Sequence, residues 1–426
     1  MRPRNIFVIG LDDANLRTLE RVPGADGYRY HGLLSVEEIQ HGEIPIKDLV
    51  HKARKELGDF VGEIDAIVGY WDFPATAIVP LLCEQYGLPS ADLQAVVKCE
   101  HKYWSRIEQR KVVDDLPKFG LVDLEGPTAL PDGMRYPVWL KPVKSFSSEL
   151  AFHVGDDEEL RSAVAEIRDG VSRVGRPFQF VLDQVELPPE IAEVGGQACL
   201  AEEALSGVQA ATEGFVAGGQ VTVNGALDSI NYPGTPCFLR HQYPSQLPSD
   251  IVERMKTISE KVILQMGMDN STFSIEFFCD LDAGRVSVLE INARHSQSHA
   301  EMFEYVDGVP NHHCMIQLGL GGDPHLPRDE GPYDIAAKWY YRRFRDAVVT
   351  RVPTDDEIAR LQEEISGVTI DIVPGVGERL SEMPAQDSYS YELADLFIGA
   401  ANERAMKEKY DQCVEALRFE FEDEED

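Results

Sequence analysis

Short apolar runs alternate with longer amphipathic stretches over the first hundred residues of the chain. Asn5-Ile-Phe-Val-Ile-Gly10 is a continuous apolar run closed by glycine, which predicts a buried parallel strand followed by a helix near residues 14–22. The pattern returns at Asp65-Ala-Ile-Val-Gly69 and in the apolar stretch from Ile78 to Tyr86. Strands alternating with helices predict an α/β unit built on a parallel sheet. Tyr70-Trp-Asp-Phe73 falls at the C-terminal mouth of the second strand, where open α/β sheets place ligands, or else forms a capped loop. The first glycine turn, Gly10-Leu-Asp-Asp-Ala, lacks the spaced glycines of a dinucleotide fingerprint, so nicotinamide binding is not supported.

Further along, a helix is predicted over residues 99–112, with Lys102, Arg106 and Arg110 at steps of four on one face. A short strand, Tyr136-Pro-Val-Trp-Leu-Lys141, is closed by Pro142 and a loop, Lys144-Ser-Phe-Ser-Ser148. Leu160, Val164 and Ile167 form the face of a helix that Gly170 is expected to stop. A strand at Ala198-Cys-Leu-Ala-Glu-Glu-Ala-Leu205 and a hairpin carrying Glu213 follow. Ile251, Met255, Ile258, Val262 and Met266 make the stripe of a helix over 250–266, with Gly267 as its stop. Beyond Gly321-Gly-Asp-Pro324 a small α+β unit is expected. It opens with the capping box Thr354-Asp-Asp-Glu357, continues with strands near 368–373 and 391–398, and closes with a helix over about 402–418.

Two of the apolar runs each carry an acidic residue where a strand should be neutral: Phe273-Ser-Ile-Glu276-Phe-Phe-Cys279 and Val286-Ser-Val-Leu-Glu290-Ile-Asn292. The turn-rich segment between them predicts a β-hairpin. If it is symmetric about Ala283, Glu276 faces Glu290 directly. Like charges opposed across two strands destabilise the pairing, and a divalent cation between them removes the conflict. Asn292, two residues on, adds a neutral oxygen from the same face. The alternatives are a solvated hairpin face, or a one-residue bulge that separates the carboxylates.

Composition narrows the class. A chain of 426 residues exceeds one ordinary core, so two or three domains are expected. Forty basic against 74 acidic residues argue against a nucleic-acid partner, whose footprint is a basic patch. The excess is spread along the chain and ends in Phe419-Glu-Phe-Glu-Asp-Glu-Glu-Asp426, which reads as a frayed tail. Adaptation to high salt is one hypothesis for the acidity. Seven cysteines without close pairing fit reduced, buried thiols in a cytoplasmic protein. His312-His313-Cys314 lacks the second cluster of a zinc site. No apolar stretch reaches the roughly 18 residues of a membrane span.

In their order and spacing, five segments resemble the ATP-grasp superfamily, whose members activate a carboxylate with ATP. They are His101-Lys102-Tyr-Trp-Ser-Arg106, Val138-Trp-Leu-Lys141-Pro, Leu200-Ala-Glu-Glu-Ala-Leu205, Ser274-Ile-Glu276-Phe, and Leu289-Glu290-Ile-Asn292-Ala-Arg294. The resemblance implies an N-terminal Rossmann-like α/β domain (1–97), an ATP-grasp domain (98–322, its lid about 135–205) and a C-terminal α+β domain (323–426). It assigns Lys102 and Lys141 to the nucleotide phosphates, with Ser147 and Ser148 in a covering loop that relatives often make glycine-rich. Glu202 would accept from the adenine amino group, the backbone near Glu203 and Leu205 would read the ring edge, and Glu213 would contact the ribose. Its bland alternative is an exposed hairpin acid. Glu276, Glu290 and Asn292 would hold magnesium, or manganese in its place. Arg294 would stabilise the substrate carboxylate or an acyl phosphate. Arg240 and His299 lie in loops near the transferred phosphate, His299 as a candidate base for an incoming amine. Trp339-Tyr-Tyr-Arg-Arg-Phe-Arg345 reads as a strand.

The function implied is an ADP-forming carboxylate–amine ligase acting on an amino acid or small carboxylic acid, with small-molecule substrates and homodimerisation as family-level expectations. One alternative is biotin carboxylase-like chemistry. The places of that enzyme's bicarbonate glutamate and lysine fall here on Ser298 and Tyr243. The other is an ATP-binding protein without turnover.

Overall fold

The computed structural model describes residues 2–145, 149–383 and 390–422. Their contacts divide the chain into two compact units. One comprises Met1–Asn224, Pro248–Gln297 and His312–His325; the other comprises Gly225–Leu247, Ser298–Asn311 and Leu326–Asp426. Neither is a continuous segment, in contrast to the three consecutive domains expected. Strand pairing is the reason. Phe238–Tyr243 pairs antiparallel with Ile335–Arg343, Arg240 opposite Trp339, so a strand from before residue 322 belongs to the C-terminal sheet.

The first unit opens with a three-stranded parallel sheet in which Arg4–Ile9 lies between Tyr28–Leu33 and Ala66–Gly69. The flanking strand Tyr28–Leu33 was not foreseen. Its residues are mostly half-exposed, so it lacks the apolar run that marks a buried strand. The first helix spans Asp13–Leu19, capped by the Asp12 side chain, and the second of the expected helices spans Ala75–Tyr86. A second sheet of four strands runs in the order Phe119–Val122, Cys199–Glu203, Val138–Pro142, Phe152–Val154. Helix Asp157–Gly170 covers it with Leu160, Val164 and Ile167. Gly170 does not act as a left-handed stop; another helix, Ser172–Leu182, follows at once. A Cβ on Gly170 would sit 2.8 Å from Leu150, so close packing explains the glycine.

The helix expected over 99–112 is two helices, Leu93–Glu100 and Lys102–Gln109, broken at His101. His101 is extended and caps the second helix by accepting from Trp104 N at 3.2 Å, while its Nε2 meets Gly195 O at 3.1 Å. Lys102 and Arg106 are buried, but Arg110 is exposed and lies over the Phe119 ring at 5.5 Å, off their face. Helix Ser249–Met266 buries the predicted stripe and ends at Gly267 with φ 79°. The two glutamate-bearing runs form Ser271–Asp280 and Arg285–Asn292, and Val208–Ala217 pairs with the first of them.

In the second unit, strands follow the order Phe238–Tyr243, Ile335–Arg343, Tyr391–Ala400, Val368–Ile372. Helix Glu403–Ala416 packs Met406, Tyr410 and Cys413 into the same core as Trp339. The Thr354 capping box is present, opening helix Asp355–Glu364. Of the segment expected to fray, Glu420–Glu422 pairs with Val348–Arg351, and residues 423–426 lie outside the described residues. All seven cysteines are buried free thiols. Among the described residues no helix is long and apolar enough to cross a membrane.

Candidate active site

The site is built on the glutamate hairpin of the first unit. Ser274 faces Asn292, Ile275 faces Ile291, and Glu276 faces Glu290. The register then shifts between Glu276 and Phe277, leaving Leu289 without a partner. A bulge therefore exists, but on the turn side of the pair, and it is what brings the carboxylates opposite one another: the pairs from Asp280–Arg285 to Phe277–Val288 are centred between Asp282 and Ala283, not on Ala283. A bulge interrupts the ladder and frees backbone carbonyls. Arg106 takes both, donating from Nη1 to Val288 O at 2.9 Å and from Nη2 to Leu289 O at 2.8 Å. Its Nε donates to Glu202 Oε1 at 2.5 Å. The arginine expected only to share a helix face with Lys102 and Arg110 is a clamp that fixes the hairpin.

Electrostatics divides the two glutamates. Burial and the charge of Glu290 push Glu276 above the usual carboxylate range. Burial also opposes the charge of Glu290, but Lys102, Lys141 and Lys144 outweigh it and hold that carboxyl below the usual range. Lys102 Nζ lies 2.7 Å from Glu290 Oε1. One acid is thus charged against lysine, and the other is inclined to keep a proton. A divalent cation would replace that proton, and two carboxylates with the Asn292 amide are hard oxygen donors of the kind magnesium takes. Asn292 Nδ2 lies 3.4 Å from Glu276 Oε1, and a half-turn of the amide presents its oxygen there instead. Among the described residues no group of three or more His, Cys, Asp or Glu is gathered for a metal. The hairpin offers a partial set, which fits an ion that completes its shell with phosphate and water oxygens.

The lysines are positioned by backbone contacts. Lys102 begins its helix, its N–H on Val143 O at 2.8 Å and its Nζ on Ser145 O at 2.8 Å. Lys141 lies next to the end of its strand, with Nζ 2.5 Å from Glu202 Oε2. Glu202, expected to accept from an adenine amino group, instead spends both oxygens on cations. Its place opposite Trp139 in the neighbouring strand sets it diagonally beside Lys141. Burial would raise its carboxyl, yet Arg106 and Lys141 bring it down to about 2. The Glu203 N–H is engaged by Lys118 O at 2.9 Å, and the Leu205 backbone follows directly after this strand. Ser147 and Ser148 lie outside the described residues. Lys144 was not singled out; it pairs with the buried Glu100 at 3.1 Å.

Arg294 is held by a residue that sequence reasoning placed at a sheet mouth without a role. Its Nε and Nη2 donate to Asp72 Oδ1 at 2.9 and 2.6 Å, and its Nη1 to His295 O at 3.2 Å. Burial disfavours the guanidinium charge, but Asp72 outweighs it and raises the pKa. Trp71 Nε1 and Tyr70 OH both donate to Gly10 O, at 2.7 and 3.2 Å, which ties this mouth to the one after the first strand. Glu213 is buried rather than an exposed hairpin acid, and accepts from Ser296 N at 2.9 Å. A second line of contacts starts beside Arg294. Thr272 Oγ1 meets His295 Nδ1 at 3.0 Å, His295 Nε2 meets His312 Nδ1 at 3.3 Å, and His312 Nε2 meets Asn15 Oδ1 at 2.9 Å. His312 is therefore a satisfied core residue, where the sequence had suggested a helix surface beside a core cysteine.

Lys102, Lys141, Glu202, Glu213, Glu276, Glu290, Asn292 and Arg294 all belong to the first unit, whereas Arg240 and His299 belong to the second. Arg240 Nη2 is 2.5 Å from Glu403 Oε1, its Nε donates to Gln242 Oε1 at 3.0 Å, and its guanidinium lies over Trp339. It does not stand free for a phosphate. His299 is buried, edge-on to His241 with ring centroids 5.2 Å apart.

Residues 134–300 match the family described as an ATP-grasp domain. A stretch of 103 residues is 35% identical to the carbamoyl phosphate synthase large chain of Kocuria rhizophila, covering 24% of this chain and 9% of that protein. The chain thus spans under a tenth of the length of that curated relative. An L-amino acid ligase from Bacillus licheniformis shares the fold at a TM-score of 0.74 and 15% identity, over 99% of this chain and all of that one. A biotin carboxylase from Campylobacter jejuni follows at 0.65 and 13%, over 98% and 92%. Residues 134–300 therefore match an ATP-grasp domain, and the chain as a whole shares the fold of these enzymes.

Proposed function

We propose that the protein is an ADP-forming ligase that joins a small carboxylic acid to an amine through an acyl phosphate. The observation that carries this reading is the juxtaposition, in one unit, of two opposed carboxylates, a lysine paired to one of them, and an arginine anchored by Asp72. ATP with magnesium would supply the phosphoryl group and neutralise its charge, held by Lys102, Lys141, Glu276, Glu290 and Asn292. Lys102 already stands on Glu290, so it can pass from that carboxylate to a phosphate oxygen without leaving the hairpin. Lys141 is poised likewise on Glu202. Arg294, fixed by Asp72, orients the acid's carboxylate and cannot lose its own proton. Arg106 makes no contact with the reacting groups in this reading; it keeps Glu290 in register. The backbone of Glu203 and Leu205 would border the adenine, and Glu213 the ribose.

The test is to supply candidate acids and amines with ATP and identify the products. ADP and phosphate are expected, and AMP with pyrophosphate would sink the proposal. Glu290→Ala should lower turnover at least a hundredfold; a protein that only binds ATP has no turnover to lose.

A further inference from the structure

A cavity of about 60 Å³ lies against Arg294 in the first unit. Val79, Pro80, Val96, Met315 and Leu318 are among the apolar residues of its wall, the Asn270 amide and several hydroxyls are its neutral polar groups, and Arg294 is the one charged side chain among its lining residues. The hydroxyls that reach it are already engaged. Thr76 donates to Glu100, Ser90 to Ala91 O at 3.1 Å and Ser271 to Thr272 O at 3.0 Å, and Thr272 meets His295 at 3.0 Å. These side chains therefore have little left to offer a polar guest. Arg294 differs. A guanidinium has five N–H groups, and Asp72 and His295 O take three of them here, one of these from Nη1 and one from Nη2. One N–H on each terminal nitrogen remains, the pair that can grip both oxygens of a carboxylate.

An aliphatic wall with a single cationic fork at its edge is the complement of a fatty-type carboxylate. We propose that this cavity receives the carbon tail of the acid that Arg294 binds, and that the substrate is a short aliphatic acid with no charge at the far end of its tail. This rests on the ligase reading above. The volume corresponds to about four to six water-sized positions, which suits a tail of about three to five carbons. A charge at the tail end would be desolvated beside Val96, Met315 and Leu318 with no countercharge in the lining, a heavy penalty. Each methylene that fits or fails to fit such a pocket changes selectivity by about 10- to 200-fold. Val79 is the natural gauge, because it is half-buried and lines the cavity beside the strand end at Gly69.

The experiment measures equilibrium binding of straight-chain acids of increasing length, and of equally long dicarboxylates, to the full chain with magnesium and a non-hydrolysable ATP analogue. The same acids are then assayed with ATP and hydroxylamine, which traps an acyl phosphate as a hydroxamate with release of phosphate. Short aliphatic acids should bind best, and dicarboxylates at least tenfold more weakly. Val79→Ala should shift the optimum to a tail one or two carbons longer. Val79→Phe should weaken all tails at least tenfold while leaving affinity for the nucleotide analogue unchanged, which also shows that the variant is folded. Unchanged length profiles in both variants, tighter binding of dicarboxylates, or no acid binding at all would overturn the inference. Turnover on charged-tail acids alone would overturn it and leave the ligase reading standing. Tight binding of short acids without acid-dependent ADP formation would do the reverse.

Discussion

Replacing Glu202 by Gln keeps the shape of the side chain and removes one buried charge. Both oxygens hold cations, Arg106 at 2.5 Å and Lys141 at 2.5 Å, and the side chain is 4% exposed. Its carboxyl is brought from 4.5 to about 2. A shift of that size corresponds to about 3 kcal/mol at neutral pH, in line with the roughly 3–5 kcal/mol lost when one partner of a buried pair is removed. Because the folded-state pKa is depressed, the contribution is fully present above pH 4.5 and lost as pH falls toward 2. At pH 3.5 about 2 kcal/mol should remain. The assay is urea unfolding of parent and Glu202→Gln at pH 7.5 and 3.5, followed by tryptophan fluorescence, which Trp139 opposite Glu202 should report. The expected gap between the two proteins is about 3 kcal/mol at the higher pH, shrinking by about a third at the lower. A gap below 1 kcal/mol at pH 7.5, or one that does not change with pH, would refute the reasoning.

Other outcomes follow from the same geometry. His312 is buried, and burial lowers its pKa from 6.5 to about 3, so its contribution to stability is full above pH 6.5 and is lost as pH falls toward 3. Between pH 8 and pH 5 the parent should lose about 2 kcal/mol more than His312→Gln, measured by urea unfolding; equal losses would contradict the assignment. Under the proposed function, Glu276→Gln removes one of the two hairpin carboxylates that would hold the metal, the one whose pKa burial and Glu290 raise. It should weaken magnesium-dependent nucleotide binding at least tenfold and flatten its dependence on pH, both read by calorimetry. Gly10 has φ +67°, and a Cβ there would lie 2.5 Å from Ile39 and 2.6 Å from Trp71. Gly10→Ala should therefore cost about 2–4 kcal/mol of stability; a loss under 0.5 kcal/mol in denaturation would show that this mouth yields easily.

Much of the site was legible because its signals are local. Alternation placed Glu276 and Glu290 on strands, and they do face one another, but through the bulge at Leu289 rather than by symmetry about Ala283. The Thr354 capping box and the Ile251–Met266 stripe depend on neighbours within a few residues and were read correctly. The misses are long-range. His101 breaks a helix because Gly195, far along the chain, accepts its ring N–H. Arg106 shares a helix with Lys102 but turns to a bulge 182 residues away, where free carbonyls need a donor.

The sequence by itself determined that this chain has a parallel α/β start and a hairpin that carries two glutamates on facing strands. Only the tertiary structure decided what each charge serves. Asp72 holds Arg294 from 222 residues away, Glu202 is spent on two cations, and Arg240 is committed to Glu403. Periodicity reports which face of an element is buried. Which charge meets which, once buried, depends on pairings between distant segments, and a buried charge is tolerated only when such a partner arrives.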